Sequence, residues 1–272
     1  TSPEFIKKNY SFGVEEFKRI FWLEYIHRLL GRATGLVFIV PLLFFGLRKA
    51  LPPRLLRRML FACVLVAAQG TVGWIMVASG LEHDPRVNPA KLALHLMLAL
   101  SLFSLLLWTY WQASGRARHD EPRGFGTLLR LSLAMVLLQI VLGALVAGND
   151  AGLTYNTYPL MDGAMVPSGL FTLDPWHKNL IINVVFVQFA HRAVAHLVVV
   201  LSLMVFISAW RTKIDYGQTA LRFFMIAVII QFLLGVFTLL HAVPVALGSA
   251  HQMGAVVVLA ALLNLVYLVK LP

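Results

Sequence analysis

The chain has 272 residues, of which 59% are hydrophobic and only 13% are charged. Together with a mean hydropathy of +0.79, this composition lies outside the range of soluble globular domains, so lipid is the solvent for most of the chain. The formal net charge of +11 would suit a nucleic-acid-binding protein only if the basic residues shared one face. They are instead spread over alternate loops, which gives nucleic-acid binding no support.

Seven apolar stretches are each long enough to cross a bilayer as a helix, which takes about 20 residues. They lie at approximately 20–47, 59–80, 90–112, 128–147, 180–209, 221–241 and 245–269. We therefore predict an all-α polytopic membrane protein with seven transmembrane helices and no cleavable signal peptide. The single cysteine, Cys63, falls inside the second stretch. We interpret it as a small packing residue, and no disulfide can form within the chain.

The basic residues of the loops predict how the chain is oriented. Loops on one side of the membrane carry Arg48, Lys49, Arg54, Arg57, Arg58, Arg116, Arg118, Arg123, Arg130, Arg211, Lys213 and Arg222. The opposite loops carry only Arg86, Lys91 and Lys178. By the positive-inside rule the first set faces the cytoplasm or the mitochondrial matrix. The N-terminal segment, with Lys7, Lys8, Lys18 and Arg19, would lie outside and fits the rule less well.

An internal repeat relates the two halves of the sequence. Residues 24–28 (EYIHR) resemble residues 188–192 (QFAHR), and each segment lies early in an apolar helix on the same predicted outer side. A Gln-x-x-x-Gly motif, an outer loop and a histidine near the start of the next helix follow each copy. These positions are Gln69, Gly73 and His95 after the first copy, and Gln231, Gly235 and His251 after the second.

The second copy has one more helix before it, at 128–147, which contains Gln139-x-x-x-Gly143 and leads into a long outer loop. Two pseudo-symmetric four-helix bundles would therefore require an eighth helix before residue 1. We expect such a helix in the full-length protein, and the chain begins with Thr1 rather than Met. The expected halves are 1–127, which would lack its first helix here, and 128–272.

Five of the nine histidines lie within predicted helices, where an ionisable side chain is costly and indicates a functional site. They are His27, His95, His191, His196 and His251. The other four, at loops or a helix end, are interpreted as solvated or interfacial. They are His83, His119, His177 and His241.

The repeat places four of the helical histidines equivalently, and a haem between helices needs two imidazoles at similar depth from opposite faces. We therefore pair His27 with His95 and His191 with His251 as haem ligands. Polar contacts between helices are the alternative. Zinc is less favoured, because neither pair has a carboxylate or thiolate at suitable spacing. His196 has no counterpart in the first copy, and we interpret it as a packing residue or a support for the neighbouring ligand.

Charged residues surround the repeated histidines. Glu24 precedes His27 by three residues and so shares its helix face, whereas its repeat counterpart is the amide Gln188. This difference suggests proton chemistry at one site and simple cofactor binding at the other, unless Glu24 only pairs with an arginine. Three arginines near the outer helix ends could bind haem propionates, form structural ion pairs or extend to the interface; they are Arg28, Arg32 and Arg192.

These motifs together resemble the heme A synthase family. The resemblance rests on residues 24–32 (EYIHRLLGR), 148–159 (GNDAGLTYNTYP), 188–192 and His251-Gln252, in this order, and it runs essentially end to end. It is closest to the proteobacterial and mitochondrial type, in which a stretch like residues 3–18 precedes the first histidine helix. The paired loop cysteines of some family branches have no equivalent in this chain, so an electron route through thiols is doubtful.

The resemblance implies oxidation of the C8 methyl of heme O to a formyl group, which gives heme A for cytochrome oxidase. It implies that His191 and His251 ligate a resident heme b, that His27 and His95 hold the substrate haem, and that Glu24 is the functional carboxylate. It also implies a bacterial plasma membrane or mitochondrial inner membrane, with the histidine sites towards the periplasm or intermembrane space. Expected partners are heme O synthase, cytochrome oxidase assembly factors, an electron acceptor that the sequence does not identify, and a further copy of the chain in a homo-oligomer.

Two other functions compete at this stage. A non-catalytic di-haem cytochrome b would need the same four histidines, and the contrast between Glu24 and Gln188 argues against it. A transporter is less favoured, because repeats in transporters are often inverted and built around broken helices, whereas both copies here run in the same sense.

Overall fold

The computed structural model describes residues 10–80, 87–120, 124–212 and 217–270. Seven long helices occupy most of these residues: α1 (Val14–Leu47), α2 (Pro53–Gly80), α3 (Pro89–Ala113), α4 (Phe125–Gly148), α5 (Val184–Arg211), α6 (Gln218–Leu240) and α7 (Val245–Leu268). Each is long and apolar enough to cross a membrane. The prediction of an all-α polytopic membrane protein with seven spans is confirmed for the described part of the chain.

Several helix boundaries differ from the sequence prediction. α1 begins at Val14, about six residues early, and its first turn carries Glu15 and Glu16, which the positive end of a helix favours. α2 also begins about six residues early, at Pro53, a residue suited to the first helical position. His83, Arg86, Arg123 and Lys213, together with residues 3–9 of the N-terminal stretch, lie outside the described residues.

The chain divides into two compact units, residues 1–110 and 111–272. In the first unit α1 packs on α2. In the second, α4 packs on α5 and α7, and α6 packs on the same two helices, so these four helices form a closed bundle. The division into functional halves at residue 127 stays a prediction, since it rests on which haem each half holds.

The C-terminal end of α7 anchors one end of the second bundle. Leu262 and Tyr267 are almost fully buried, and Phe224 of α6 is fully buried. Arg118 donates to the backbone carbonyls of Tyr267 and Val269 at 2.9 and 3.0 Å. A short parallel strand pair, His119–Asp120 with Val269–Lys270, adjoins these bonds. This apolar end holds the helices together, and the histidines of the bundle lie towards the other end.

The connection between α4 and α5 is folded and contains two short 3₁₀ turns, Ala151–Leu153 and Trp176–Lys178. A single helical turn, Asn179–Ile182, precedes α5. Asn183 then separates this turn from α5, because its side chain accepts hydrogen bonds from the first free amides of the helix, those of Val185 and Phe186. α5 therefore begins at Val184 rather than at the predicted residue 180.

The Asn183 side chain also ties the connection to the bundle. Its amide nitrogen donates to the carbonyls of Gly169 and Leu170 at 2.9 and 3.2 Å. The side chain is 6% exposed, so water cannot replace these partners. The start of α5, and with it the position of His191, depends on this one buried amide.

We expect Asn183→Ala to lower the thermal stability of the purified protein by more than the loss of a simple helix cap, which costs about 1 kcal/mol. Besides the two amides of the cap, the carbonyls of Gly169 and Leu170 would each lose a hydrogen bond, adding about 1–3 kcal/mol. The matched control is Asn88→Ala, which removes an exposed cap of α3 that accepts from Ala90 and Lys91. Equal melting temperatures for the two variants, measured by tryptophan fluorescence, would contradict this account.

Candidate functional site

The second unit brings His191 of α5 and His251 of α7 together. Their ring centroids are 6.5 Å apart and their planes are nearly perpendicular, at 85°. His191 is seven residues after the start of α5, and His251 is six after the start of α7. At about 1.5 Å per residue, both lie roughly 10 Å from the same end of the bundle. The structure thus brings together the pair that the repeat predicts, and ligation stays a prediction.

Each ring of this pair lies against a Gln-x-x-x-Gly motif on a neighbouring helix. The Gln139 amide nitrogen of α4 is 3.1 Å from Nδ1 and 3.3 Å from Nε2 of His191. The Gln231 amide nitrogen of α6 is 3.1 Å from Nδ1 of His251 and donates to the His251 carbonyl at 2.8 Å. Glutamine is therefore the polar partner of each imidazole inside an otherwise apolar bundle.

The glycine of each motif allows the ring to approach the helix backbone. A Cβ placed on Gly143 would lie 3.1 Å from Cε1 of His191, and one on Gly235 would lie 2.7 Å from Cε1 of His251. The second distance is shorter than any ordinary carbon contact. Glycine one turn after the glutamine therefore provides the space in which each ring sits.

The first unit repeats the arrangement at His95 of α3. The Gln69 amide nitrogen of α2 is 3.0 Å from Nε2 of His95, and a Cβ on Gly73 would lie 3.0 Å from Cε1 of the same ring. His27 lies on α1 of the same unit. The pairing of His27 with His95 stays a prediction, and the glutamine of this unit contacts Nε2 of His95.

The Gln-x-x-x-Gly motifs indicated only the alignment of the repeat, and their contact with the histidines was not predicted from the sequence. The signal was present in the spacing. A glutamine and a glycine four residues apart share one helix face, and each motif precedes a helix with a histidine near its start. The glutamine offers a polar partner and the glycine leaves space for a bulky ring on the same helix face. Together they predict a site for an imidazole.

The connection between α4 and α5 lies against the helix that carries His191. The Arg192 guanidinium donates to the carbonyls of Tyr155 and Thr157 at 2.6 and 2.8 Å. Gln188, which is 2% exposed, donates to the same Tyr155 carbonyl at 3.0 Å. These contacts give both residues a structural task that the sequence did not reveal. The propionate role of Arg192 stays a prediction.

His196 interacts with the same connection. Its ring stacks on Tyr158 with an angle of 4° between the planes, and the Tyr158 hydroxyl is 3.1 Å from Nε2. The other ring nitrogen is 2.7 Å from the carbonyl of Arg192. Both ring nitrogens thus have partners, which agrees with the interpretation of His196 as a packing residue.

Glu24 pairs with Arg28 on the exposed surface of α1. The carboxylate oxygen is 3.4 Å from a guanidinium nitrogen, one helical turn away. An ion pair with an arginine is the predicted alternative to a chemical role for Glu24, and the chemical role stays a prediction. Arg32, one further turn along, is exposed. Glu24 lies three residues from His27, on the face that carries this histidine.

The ring separation of the C-terminal pair is compatible with two imidazole ligands of one iron. An imidazole nitrogen bonds a first-row metal at about 2.1 Å and its ring centroid lies about 1.1 Å further back, so two axial rings would have centroids about 6.4 Å apart. The observed separation is 6.5 Å. Within the described ranges, no three His, Cys, Asp or Glu side chains cluster as a metal site. Two imidazoles suffice for haem iron, because the porphyrin supplies the other four ligands.

A family model and several relatives each match most of this chain. The family model described as "Cytochrome oxidase assembly protein", COX15-CtaA, matches residues 1–263. A heme A synthase of Wolbachia pipientis subsp. Culex pipiens is 42% identical over 254 residues, which are 93% of this chain and 75% of the relative. A heme A synthase of Rhodopseudomonas palustris is 40% identical over 259 residues, with 94% and 70% coverage. One of Anaplasma marginale is 40% identical over 262 residues, with 96% and 74% coverage.

We expect Gly235→Ala to lower the haem content of the purified protein several-fold, because the added methyl would displace the His251 ring from its position opposite His191. The control is Gly70→Ala on α2, where an added Cβ meets nothing within 4 Å. Pyridine haemochrome absorbance per mole of protein measures the effect. Full haem content in Gly235→Ala would show that the ring position does not matter for binding.

Proposed function

We propose that this chain, which belongs to the COX15-CtaA family of cytochrome oxidase assembly proteins, is a heme A synthase that oxidises heme O to heme A. The observation that carries the proposal is the sequence identity to two heme A synthases. It is 42% over 93% of this chain for one and 40% over 94% for the other. The adjacent rings of His191 and His251 in the second unit support it independently, because two imidazoles suit one haem iron.

The reaction converts the C8 methyl of the substrate porphyrin to a formyl group. This change withdraws four electrons from the methyl carbon and adds one oxygen atom, and with water as the oxygen source it releases four protons. Ordinary side chains do not transfer single electrons readily, so a redox cofactor is needed. A bound haem iron would supply that electron transfer.

We assign the two histidine pairs different tasks. His191 and His251 would hold a resident heme b, supported by the iron-compatible spacing of their rings. His27 and His95 would hold heme O, supported by the nearby carboxylate of Glu24, for which the other pair has only the amide of Gln188. An acidic residue is useful where protons leave the substrate and of little use where a haem only carries electrons.

Glu24 would act as the proton acceptor beside the substrate. Its side chain lies on the same helix face as His27, one turn away. The contact with Arg28 at 3.4 Å holds the carboxylate in place. The same negative charge would stabilise an electron-poor methyl carbon as electrons leave it. Arg28, Arg32 and Arg192 remain candidates to contact haem propionates.

The loop charges support an orientation for this chemistry. The basic loops would face the cytoplasm or matrix, and the histidine sites would then lie towards the periplasm or intermembrane space. Apart from its propionates heme O is largely apolar, and it would reach its site from the lipid, most directly from a heme O synthase in the same bacterial plasma membrane or mitochondrial inner membrane. The product would pass to assembly factors of cytochrome oxidase, and a homo-oligomer would be compatible with these transfers.

We expect Glu24→Gln to abolish formation of heme A while haem remains bound, because the amide keeps the size of the side chain and loses its ability to accept a proton. Cells that make heme O would express each variant, and chromatography of the extracted haems would measure the conversion. The control is Glu16→Gln, an exposed carboxylate near the start of α1.

Three outcomes distinguish the assignments. Heme A in the unchanged protein and in Glu16→Gln, but not in Glu24→Gln, supports the proposal. Full conversion by Glu24→Gln would exclude Glu24 as the acceptor. Two equivalents of heme b with no heme A in the unchanged protein would instead indicate a di-haem cytochrome for electron transfer.

A further inference from the structure

Three glutamines, Gln69, Gln139 and Gln231, contact histidine rings and share a second property. The Oε1 atom of each is buried and has no hydrogen-bond partner among the described residues. A buried amide oxygen without a partner costs about 1–3 kcal/mol. Gln188 and Asn264 also have such an oxygen, but the three glutamines lie beside histidine rings, and a ring nitrogen can donate a hydrogen to it.

Ligation of iron would create such a partner. When Nε2 of a histidine bonds a metal, Nδ1 carries the ring hydrogen and becomes a donor. Metal-bound histidines almost always donate this hydrogen to an acceptor, which fixes the tautomer and the ring orientation and makes the ligand more basic. An amide oxygen within reach of Nδ1 can serve as that acceptor.

Gln139 meets this requirement more fully than the other two glutamines. Its amide nitrogen is 3.1 Å from Nδ1 of His191 and has contacts only with that ring among the described residues. A half turn of the amide about its terminal bond therefore exchanges nitrogen for oxygen at Nδ1. The only other contact that it ends is the one between the amide nitrogen and Nε2 of the same ring, and Nε2 must leave Gln139 to bond an iron. The buried oxygen and the ring hydrogen would then satisfy each other.

The other two glutamines are held differently. Gln231 also donates to the His251 carbonyl at 2.8 Å, so a half turn of its amide would lose that bond. Gln69 contacts Nε2 of His95 rather than Nδ1, and Nδ1 of His95 is buried without a partner among the described residues. Nε2 of His95 would have to leave Gln69 before it could bond an iron.

We propose that Gln139 is a positioning residue for His191: its side-chain oxygen accepts the Nδ1 hydrogen of the imidazole and so holds Nε2 ready for iron. The proposal rests on the assignment of His191 as a ligand of the resident haem. It follows that loss of the acceptor weakens haem retention. It follows also that the haem midpoint potential rises, because a less basic imidazole stabilises ferric iron less.

The test compares Gln139→Leu, Gln139→Asn and Gln139→Glu. Leucine keeps the size of the side chain without an acceptor, asparagine keeps the amide but is one carbon too short to reach the ring, and glutamate keeps both reach and oxygen. The matched control is Gln69→Leu, the same change in the same motif facing the other histidine pair. Transfer of haem from each purified protein to excess apomyoglobin gives the rate of haem loss, and a redox titration gives the midpoint potential of the b-type haem.

We expect Gln139→Leu and Gln139→Asn to lose the resident haem about 10–100-fold faster than the unchanged protein, with a higher midpoint potential. Gln139→Glu should retain the haem, and Gln69→Leu should leave both quantities of the b-type haem unchanged. If Gln139→Leu does not fold, Gln139→Asn, which preserves polarity, gives the same comparison. Unchanged rates and potentials in the asparagine and leucine variants would overturn the proposal. An unchanged protein without b-type haem would instead contradict the assignment of the resident site.

Discussion

An imidazole inside an apolar helix bundle needs a polar partner and room for its ring, and both units of this protein meet that need in the same way. A glutamine on the preceding helix contacts a ring nitrogen, at 3.0 Å for His95 and 3.1 Å for His251. A glycine one turn further along leaves the space. Because the two residues share a helix face, the neighbouring helix can pack close while it carries a large polar side chain.

Because each imidazole needs a polar partner and space for its ring, the histidines lie near the helix ends rather than at the apolar centre of the bundle. The other end of the second unit is closed by buried apolar side chains and by Arg118, which donates to two carbonyls of the last residues of α7 and its following strand. That end keeps the four helices together. The histidine end can therefore carry polar groups, and the connection that Asn183, Gln188 and Arg192 hold against the bundle covers it.

The sequence was sufficient for the helices and for the proximity of His191 and His251. Apolar length identifies membrane spans because backbone groups in lipid must bond within the segment, and the repeat places His191 opposite His251 before any coordinates are known. The helix starts were less predictable, since Glu15 and Asn183 act through local electrostatics and capping that hydropathy does not register.

The anchoring of the long connection could not be predicted from the sequence. Arg192 follows a candidate ligand, so an anionic partner was the natural expectation, yet its hydrogen bonds in the structure go to backbone carbonyls more than 30 residues away. Every residue has a backbone carbonyl, so the sequence does not show which carbonyls accept these hydrogen bonds. Only the fold of the loop brings them to the guanidinium. The Gln-x-x-x-Gly motifs, by contrast, can be read from the sequence. Which histidine each motif contacts depends on how the helix faces pack.

The central claim is that the two histidine pairs bind different haems. The most direct measurement is the haem composition of His27→Ala and His191→Ala, purified from cells that make heme O and analysed by chromatography of the extracted haems. The account predicts that His191→Ala loses heme b and retains heme O, whereas His27→Ala retains heme b and loses heme O and heme A. Loss of the same haem from both variants would contradict it, because the two pairs would then not be separate sites.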